Sequence, residues 1–404
     1  MKWRYLAGAS AARMGDEMSG PALLLLGYAA TRSAGAASAL LAGLTVAAAV
    51  GGPVFGAVLD RSPRPNHVLA GTLAAYALGI GAIAVSAGRL PLPLVVCVAV
   101  VTGLCGPAVA GGWTSQLPRI VRQDALARCS ALDALTFDAA SLAGPAAAAV
   151  TAAWLGARPA VVVAAALVAL AVPVAWSLTP APATGVPATG VPATSIPATS
   201  TPAKATPQPD SLRRQFARGF AVILGRPALR RATATSVVSY AGVGMLLVCC
   251  PLLGQQRLGS PARGPLLISA AAIVSLVANA VLARRPPRKP DALVLASTLL
   301  LALTMAAAAV APGWLVILAV AATGAGEGPQ LTGLLAVRHR ESPAEVRGQV
   351  FTTAASLKIG GLAAGTALAG LLASQSVTAC LLAAAGTQLA AAVAYLSIRA
   401  GVAS

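Results

Sequence analysis

The chain has 404 residues, of which 57% are hydrophobic and only 10% are charged. A soluble domain carries about 25% charged residues, so this composition excludes a soluble globular protein. The formal net charge of +18 would suggest nucleic acid in a soluble chain, but no aromatic-interleaved basic patch goes with it, and the basic residues fall mainly between apolar runs.

At about 20 residues per crossing, the apolar runs divide the chain into twelve spans. The first six are predicted at about 5–30, 37–59, 67–87, 92–113, 131–154 and 160–178. A long connection follows, and six more spans are predicted at about 227–253, 265–283, 292–311, 314–337, 350–373 and 377–398. Arg13, Asp16 and Glu17 interrupt the first run and no cleavage site stands out, so it is not read as a removable signal peptide. The reading is an all-α integral membrane protein of twelve transmembrane helices in two six-helix bundles. Residues 1–179 make the first half, 180–225 a linker and 226–404 the second half.

The second span ends in Gly56-Ala57-Val58-Leu59-Asp60-Arg61-Ser62-Pro63-Arg64-Pro65. An acid at the mouth of an apolar helix needs a partner or water, and Gly56, four residues earlier, lets a neighbouring helix come close. The end of the eighth span repeats this loosely as Asn279 to Arg288, with Ala283 where the first copy has Asp60. Equivalent placement in two six-span halves points to an internal repeat.

The linker has two parts. Residues 183–207 repeat a five-residue unit (ATGVP, ATGVP, ATSIP, ATSTP, AKATP), which cannot build a core and reads as a spacer. In 211–224, Phe216, Phe220 and Ile223 recur at helical spacing with Arg213, Arg214 and Arg218 between them. This segment is either a basic amphipathic helix on the inner membrane surface or a polar extension of the seventh span.

With the N-terminus in the cytoplasm, the inner segments hold 23 Lys and Arg and the outer loops hold five, Arg32, Arg89, Arg158, Arg257 and Arg263. That asymmetry supports an even span count, both termini in the cytoplasm and a multi-pass protein of the cell (plasma) membrane. The six cysteines show no CxxC or zinc spacing and read as small packing residues. His67 and His339 sit at inner loop edges without a ligand cluster, so no metal and no cofactor is expected. HExxH, P-loop and GxSxG motifs are absent, which argues against an enzyme.

Six plus six spans, a long middle loop and a motif after the second span together resemble the major facilitator superfamily. Its loop motif is Gly, three residues, Asp, Arg or Lys, one residue, Gly, one residue, then basic residues. Gly56, Asp60 and Arg61 match it and Arg64 adds a basic residue, while Pro63 and Pro65 stand where the family usually has glycine and a basic residue. Gly144-Pro145 resembles the core of the antiporter motif without its flanking glycines. The stretch 324–370 is similar to actinobacterial drug-exporter-like members. The resemblance implies that Asp60 and Arg61 hold an inner gate shut in the outward-open state. It also implies that spans one, four, seven and ten line the cavity and that a carboxylate there carries the coupling proton.

Acids inside spans are scarce, so each one is informative. Asp16 and Glu17 point about 100° apart on a helix. Arg13 lies one turn earlier, where it could neutralise either of them, and the alternative is proton coupling. Asp133 is expected at the interface in contact with water. Asp138 lies deeper and is expected to bond a neighbouring helix more than a substrate. Glu327 is flanked by Gly324, Gly326 and Gly328, and the resemblance implies that it faces the acids of span one across the cavity. Lys358 either pairs with an acid on a neighbouring helix or snorkels to the inner face. Arg13, Trp113, Gln116, Tyr240, Asn279 and Gln330 are candidates for the cavity wall.

The function expected is secondary active transport. Specifically, a monomer would exchange protons for small amphipathic compounds by alternating access, exporting them, with no nucleic-acid partner. Sparse cavity polarity argues against a sugar. The alternatives are an uptake permease of the same fold, or a non-transporting membrane sensor or scaffold on a decayed transporter fold.

Overall fold

The computed structural model describes residues 2–178, 212–260 and 263–398. The Ala/Thr/Pro repeat and Arg399 lie outside the described residues. The first half consists of α1 (Lys2–Thr31), α2 (Ala34–Arg61), α3 (Pro65–Ser86), α4 (Leu92–Gly103), α5 (Leu126–Leu155) and α6 (Ala157–Trp176). A linker helix, α7 (Leu212–Gly225), precedes the second half. That half consists of α8 (Pro227–Leu258), α9 (Gly264–Arg284), α10 (Pro290–Val310), α11 (Leu315–Glu341), α12 (Arg347–Ala373) and α13 (Val377–Ser397). Helices suit this composition because each satisfies its own backbone polar groups where no water can.

Local sequence sets many of the helix ends. The hydroxyls of Ser33 and Ser376 accept from Ala36 N and Ala379 N and cap α2 and α13. Pro65, Pro227 and Pro290 occupy first positions, where the missing N–H costs nothing. Gly156 and Gly259 end α5 and α8 with φ of 98° and 80°.

Among the described residues, nine segments are long and apolar enough to cross a membrane. The other three long helices are α1, α5 and α11, and these carry Asp16 with Glu17, Asp133 with Asp138, and Glu327. Their lower hydropathy follows from the ionisable groups they turn toward the protein interior.

The predicted fourth span is not one helix. It ends as α4 at Gly103 and resumes as a 3-10 turn at Gly106–Ala108 and a short helix at Gly111–Ser115. Pro107 removes a backbone donor and crowds the carbonyl of residue 103, and the glycines nearby lower helix propensity. The break carries Thr114 to Arg13 and Gly111 to the backbone of Phe351.

Each half has its own core. Tyr5, Leu69, Tyr76, Ile80 and Trp113 centre the first, and Met245, Cys249, Leu301, Met305 and Cys380 the second. The second half is also pinned at the end bearing the Asp60 loop. There Asp291 accepts from Arg340 at 2.7 Å, from Tyr395 at 2.9 Å and from Arg231. Small residues bring the helices together, as expected where lipid offers little drive for association. A Cβ on Gly365 of α12 would lie 1.9 Å from Ala241 O of α8. Gly365→Val should therefore prevent close packing of these two helices, cost about 1–3 kcal/mol or more, and abolish a monodisperse peak in size-exclusion chromatography.

Among the described residues, the apolar face of α7 packs against the bundle at Ile223 and Gly219. Ile223 is buried with Leu229, Val346 and Val350, and a Cβ on Gly219 would meet the Gln349 side chain at 2.0 Å. The bundle offers an apolar seat at the start of α8 and α12, so α7 docks under the junction of the two halves. Arg226 separates it from α8 as a helix of its own.

Candidate functional site

The halves meet along α2 with α12 and along α5 with α9, and each seam is joined by one carboxylate of the first half. At the Asp60 end, the carboxylate accepts from Gly348 N and Gln349 N, both at 2.7 Å. These belong to the first turn of α12, whose N–H groups have no intrahelical partner and carry the positive end of the helix dipole. Asp60 thus caps a helix of the opposite half. Glycines permit the approach. A Cβ on Gly56 would lie 2.2 Å from Thr352 Oγ1 and 2.4 Å from Gln349 Cα, and one on Gly348 would lie 2.6 Å from Asp60 Oδ1. Higher on the same seam, Ser356 Oγ donates to Ala48 O at 2.7 Å and accepts from Gly52 N at 3.0 Å.

Arg61 and Arg64 are exposed and take no part in this contact. Arg61 follows Asp60 by 100° around α2, which turns it outward. The arginines whose charges reach Asp60 are Arg119 and Arg347. Sequence spacing does not link Gly348 and Arg347 to Asp60, because they lie far from it in the chain; the one signal the sequence carries is Gly348 just after an arginine and before an apolar run.

On the second seam, Asp138 accepts from Ser275 Oγ at 2.9 Å and Asn279 Nδ2 at 2.5 Å. Asn279 Oδ1 in turn accepts from Thr332 at 2.7 Å. Asp138 therefore bonds a neighbouring helix, and its partners come from the other half.

Two adjoining cavities lie between the halves. The larger, about 150 Å³, is lined by residues of both, among them Arg13, Asp16, Glu17, Phe137, Tyr240, Arg338 and Lys358. The smaller, about 70 Å³, is lined by Glu17, Asp138, Ser141, Glu327, Gln330 and Lys358 among others. Glu17 and Glu327 thus face one space from opposite halves. Asp16 Oδ1 accepts from Tyr76 at 2.5 Å, and Glu17 Oε1 accepts from Ser141 at 3.1 Å. Both acids of α1 reach the larger cavity. Lys358 does not snorkel to the surface. Its Nζ lies 3.8 Å over the Tyr240 ring, where a π face and nearby acids hold the charge inside.

Arg13 does not neutralise Asp16 or Glu17. It forms a buried pair with Asp133 of α5, Nη1 to Oδ1 at 2.9 Å and Nη2 to Oδ2 at 3.2 Å. Nη2 also donates to Thr114 at 2.9 Å, and Nη1 donates to Thr136. Asp133 further accepts from Tyr5 at 2.9 Å and Thr114 at 2.8 Å. Asp133 is fully buried rather than solvated, because α5 begins five residues earlier than predicted and carries this position into the bundle.

Trp113 lines neither cavity. It is buried against Tyr5 and Gly8 and belongs to the core of the first half. Gln116 is likewise buried, bonded to Ser115. Gln330 touches the smaller cavity but is held by Ser239 at 3.1 Å and Thr298 at 2.7 Å. Among the described residues, no group of three or more His, Cys, Asp or Glu is placed to hold a metal.

Two six-helix halves enclosing a charged cavity, joined across one end by a carboxylate cap, define the architecture of an alternating-access transporter. The sequence profile of the Major Facilitator Superfamily matches residues 5–294, and the chain belongs to that family. No curated protein sequence matches it. Solved structures share the fold at low identity. One is the human organic anion transporter MFSD10 (TETRAN), at 15% identity and TM-score 0.73, covering 98% of each chain. Another is the proton:xylose symporter XylE bound to 6-bromo-6-deoxy-D-glucose, at 12% and 0.72, covering 96% of this chain and 93% of that one. A third is an outward-facing bacterial homologue of the iron transporter ferroportin, at 13% and 0.70, covering 98% and 99%.

Proposed function

We propose that this transporter is a proton-coupled exporter of small amphipathic compounds, acting as a monomer in the plasma membrane with both termini in the cytoplasm. The observation that carries the reading is the smaller cavity, where Glu17 and Asp138 of one half face Glu327 and Lys358 of the other. Carboxylates held away from water trade charge for a proton more readily than solvated ones, which is what coupling requires. Glu327 is the strongest candidate for the coupling acid, because among the described residues it has neither a hydrogen bond nor an ion pair, whereas Asp16, Glu17 and Asp138 each accept one or more hydrogen bonds. The Asp60 cap closes the basic end, and the charge asymmetry supports a cytoplasmic position for that end. Alternating access requires that cap to break when the cavity opens inward. The larger cavity combines charged groups with apolar wall from Phe137, Leu331, Leu335 and Phe351, which supports an amphipathic substrate.

The test is proton movement in inside-out vesicles, driven by a panel of amphipathic anions, cations and neutral compounds. It compares the parent with Asp16→Asn, Glu17→Gln and Glu327→Gln. Proton release coupled to compound accumulation is expected in the parent, with a fall of about tenfold or more in Glu327→Gln. Accumulation that survives all three substitutions would remove these acids from the coupling role. No proton movement with any compound, in vesicles holding folded protein, would favour the scaffold reading.

A further inference from the structure

The larger cavity ends on an arginine that the bundle leaves uncompensated. Arg338 is 4% exposed and lies 11 residues beyond Glu327 on α11, about 16 Å along the helix toward the Asp60 end. It lines the larger cavity, and its Nε and Nη2 are buried without a hydrogen-bond partner.

A guanidinium keeps its charge and offers five donors. Burying one without an acid is expensive, so an intramembrane arginine of this kind marks a site with a missing counter-charge. Arg13, in the wall of the same cavity, has its counter-charge in Asp133. Among the described residues Arg338 has no ion pair, and it shares the cavity wall with the cation Lys358 of α12. The acids that share the cavity, Asp16 and Glu17, accept from the hydroxyls of Tyr76 and Ser141, and neither forms an ion pair with Arg338 among the described residues. His339, the next residue, packs on Phe351 with ring centroids 4.6 Å apart. The same cavity has apolar wall from Phe137, Leu331, Leu335 and Phe351.

The geometry points to an amphipathic anion as the occupant of the larger cavity, with its acidic group on Arg338 and its apolar body against Phe137, Leu335 and Phe351. A planar fork of N–H donors matches a carboxylate, sulfonate or phosphate with two parallel bonds. This assignment rests on the transport reading above and narrows its substrate class.

The probe is 2-naphthoate, compared with its methyl ester and with 2-naphthylmethylammonium, on the full chain in nanodiscs of phosphatidylcholine. Binding by calorimetry should favour the carboxylate over both analogues by about tenfold or more. Arg338→Gln should lose that preference while binding the ester as before, and Arg338→Lys should keep part of it. The comparison of the three probes on the parent needs no variant, so a misfolded Arg338→Gln would not decide the matter. Equal binding of the three probes, no binding of the carboxylate by folded parent, or an undiminished preference in Arg338→Gln would overturn the assignment. Loss of naphthoate binding on adding phosphatidylglycerol would put a lipid phosphate on Arg338 and overturn the solute reading.

Proteoliposomes separate the two proposals. Movement of the amine but not the carboxylate would keep transport and remove the anion. Binding that depends on Arg338, with no probe moved, would keep the anion site and remove the transport reading.

Discussion

Replacing Asp60 with asparagine is expected to open the Asp60 end of the bundle. The carboxylate accepts two backbone N–H bonds from the first turn of α12, each 2.7 Å long. An amide has one acceptor oxygen, and its NH2 would face the second N–H. One bond is lost and the other is no longer charge-assisted. A hydrogen bond to a charged group contributes about 1.5–3 kcal/mol, so a loss of about 2–3 kcal/mol shifts the closed-to-open ratio by roughly 30- to 150-fold. Spin labels at Pro63 and Ala344, both exposed and on opposite halves, report the change. The parent should give one short distance, and Asp60→Asn a second, longer one. Gly56→Val should do the same by a different route, since its side chain would enter Thr352 and Gln349. An unchanged distance distribution in Asp60→Asn would show that the cap does not hold the halves together.

The largest effect on stability is expected at Arg13 and Asp133. Side-chain exposures of 2% and 0% leave this pair no access to water. Removing one partner of a buried pair strands the other charge and costs about 3–5 kcal/mol. Asp133→Ala should therefore lower the melting temperature in detergent by about 10 °C and reduce the yield of folded protein. It also removes the acceptor of Thr114 and leaves Tyr5 its 3.3 Å bond to Trp113 O. Arg13→Met with Asp133→Leu removes both charges and should recover a large part of the loss, because two well-packed apolar residues avoid the desolvation of two ions. A double variant no more stable than Asp133→Ala would mean that the hydroxyl network, rather than the charge, holds α1 to α5. Proton coupling in the double variant is a separate readout, since Arg13 also borders the larger cavity.

The span count and the two-half division were legible in the sequence because hydropathy is local. About twenty apolar residues must become a helix in lipid whatever packs beside them. The loop motif was legible because Gly56 and Asp60 lie on one helix at fixed spacing. The scarcity of charged residues inside apolar runs singled out Glu327 and the acids of α1, and the family resemblance, which implies that spans one and ten line the cavity, set them around one space.

The partners of those charges were another matter, since they depend on helices distant in the chain. Asp133 is 120 residues from Arg13, and Gly348 is 288 residues from Asp60. Nearest-turn reasoning gave Arg13 to Asp16 or Glu17, while packing of α1 on α5 gave it to Asp133. Lys358 near the inner end suggested snorkelling, until Tyr240 and the acids beyond it supplied a better place for the charge. The seat for α7 exists only where α8 and α12 meet, and Arg338 was one more basic residue at a span end until the closed bundle surrounded it. Hydropathy and spacing thus determine which segments cross the membrane and which charges must face inward. Only the tertiary structure decides which opposite charge each one meets, because that depends on how helices far apart in sequence come within a few ångströms of one another.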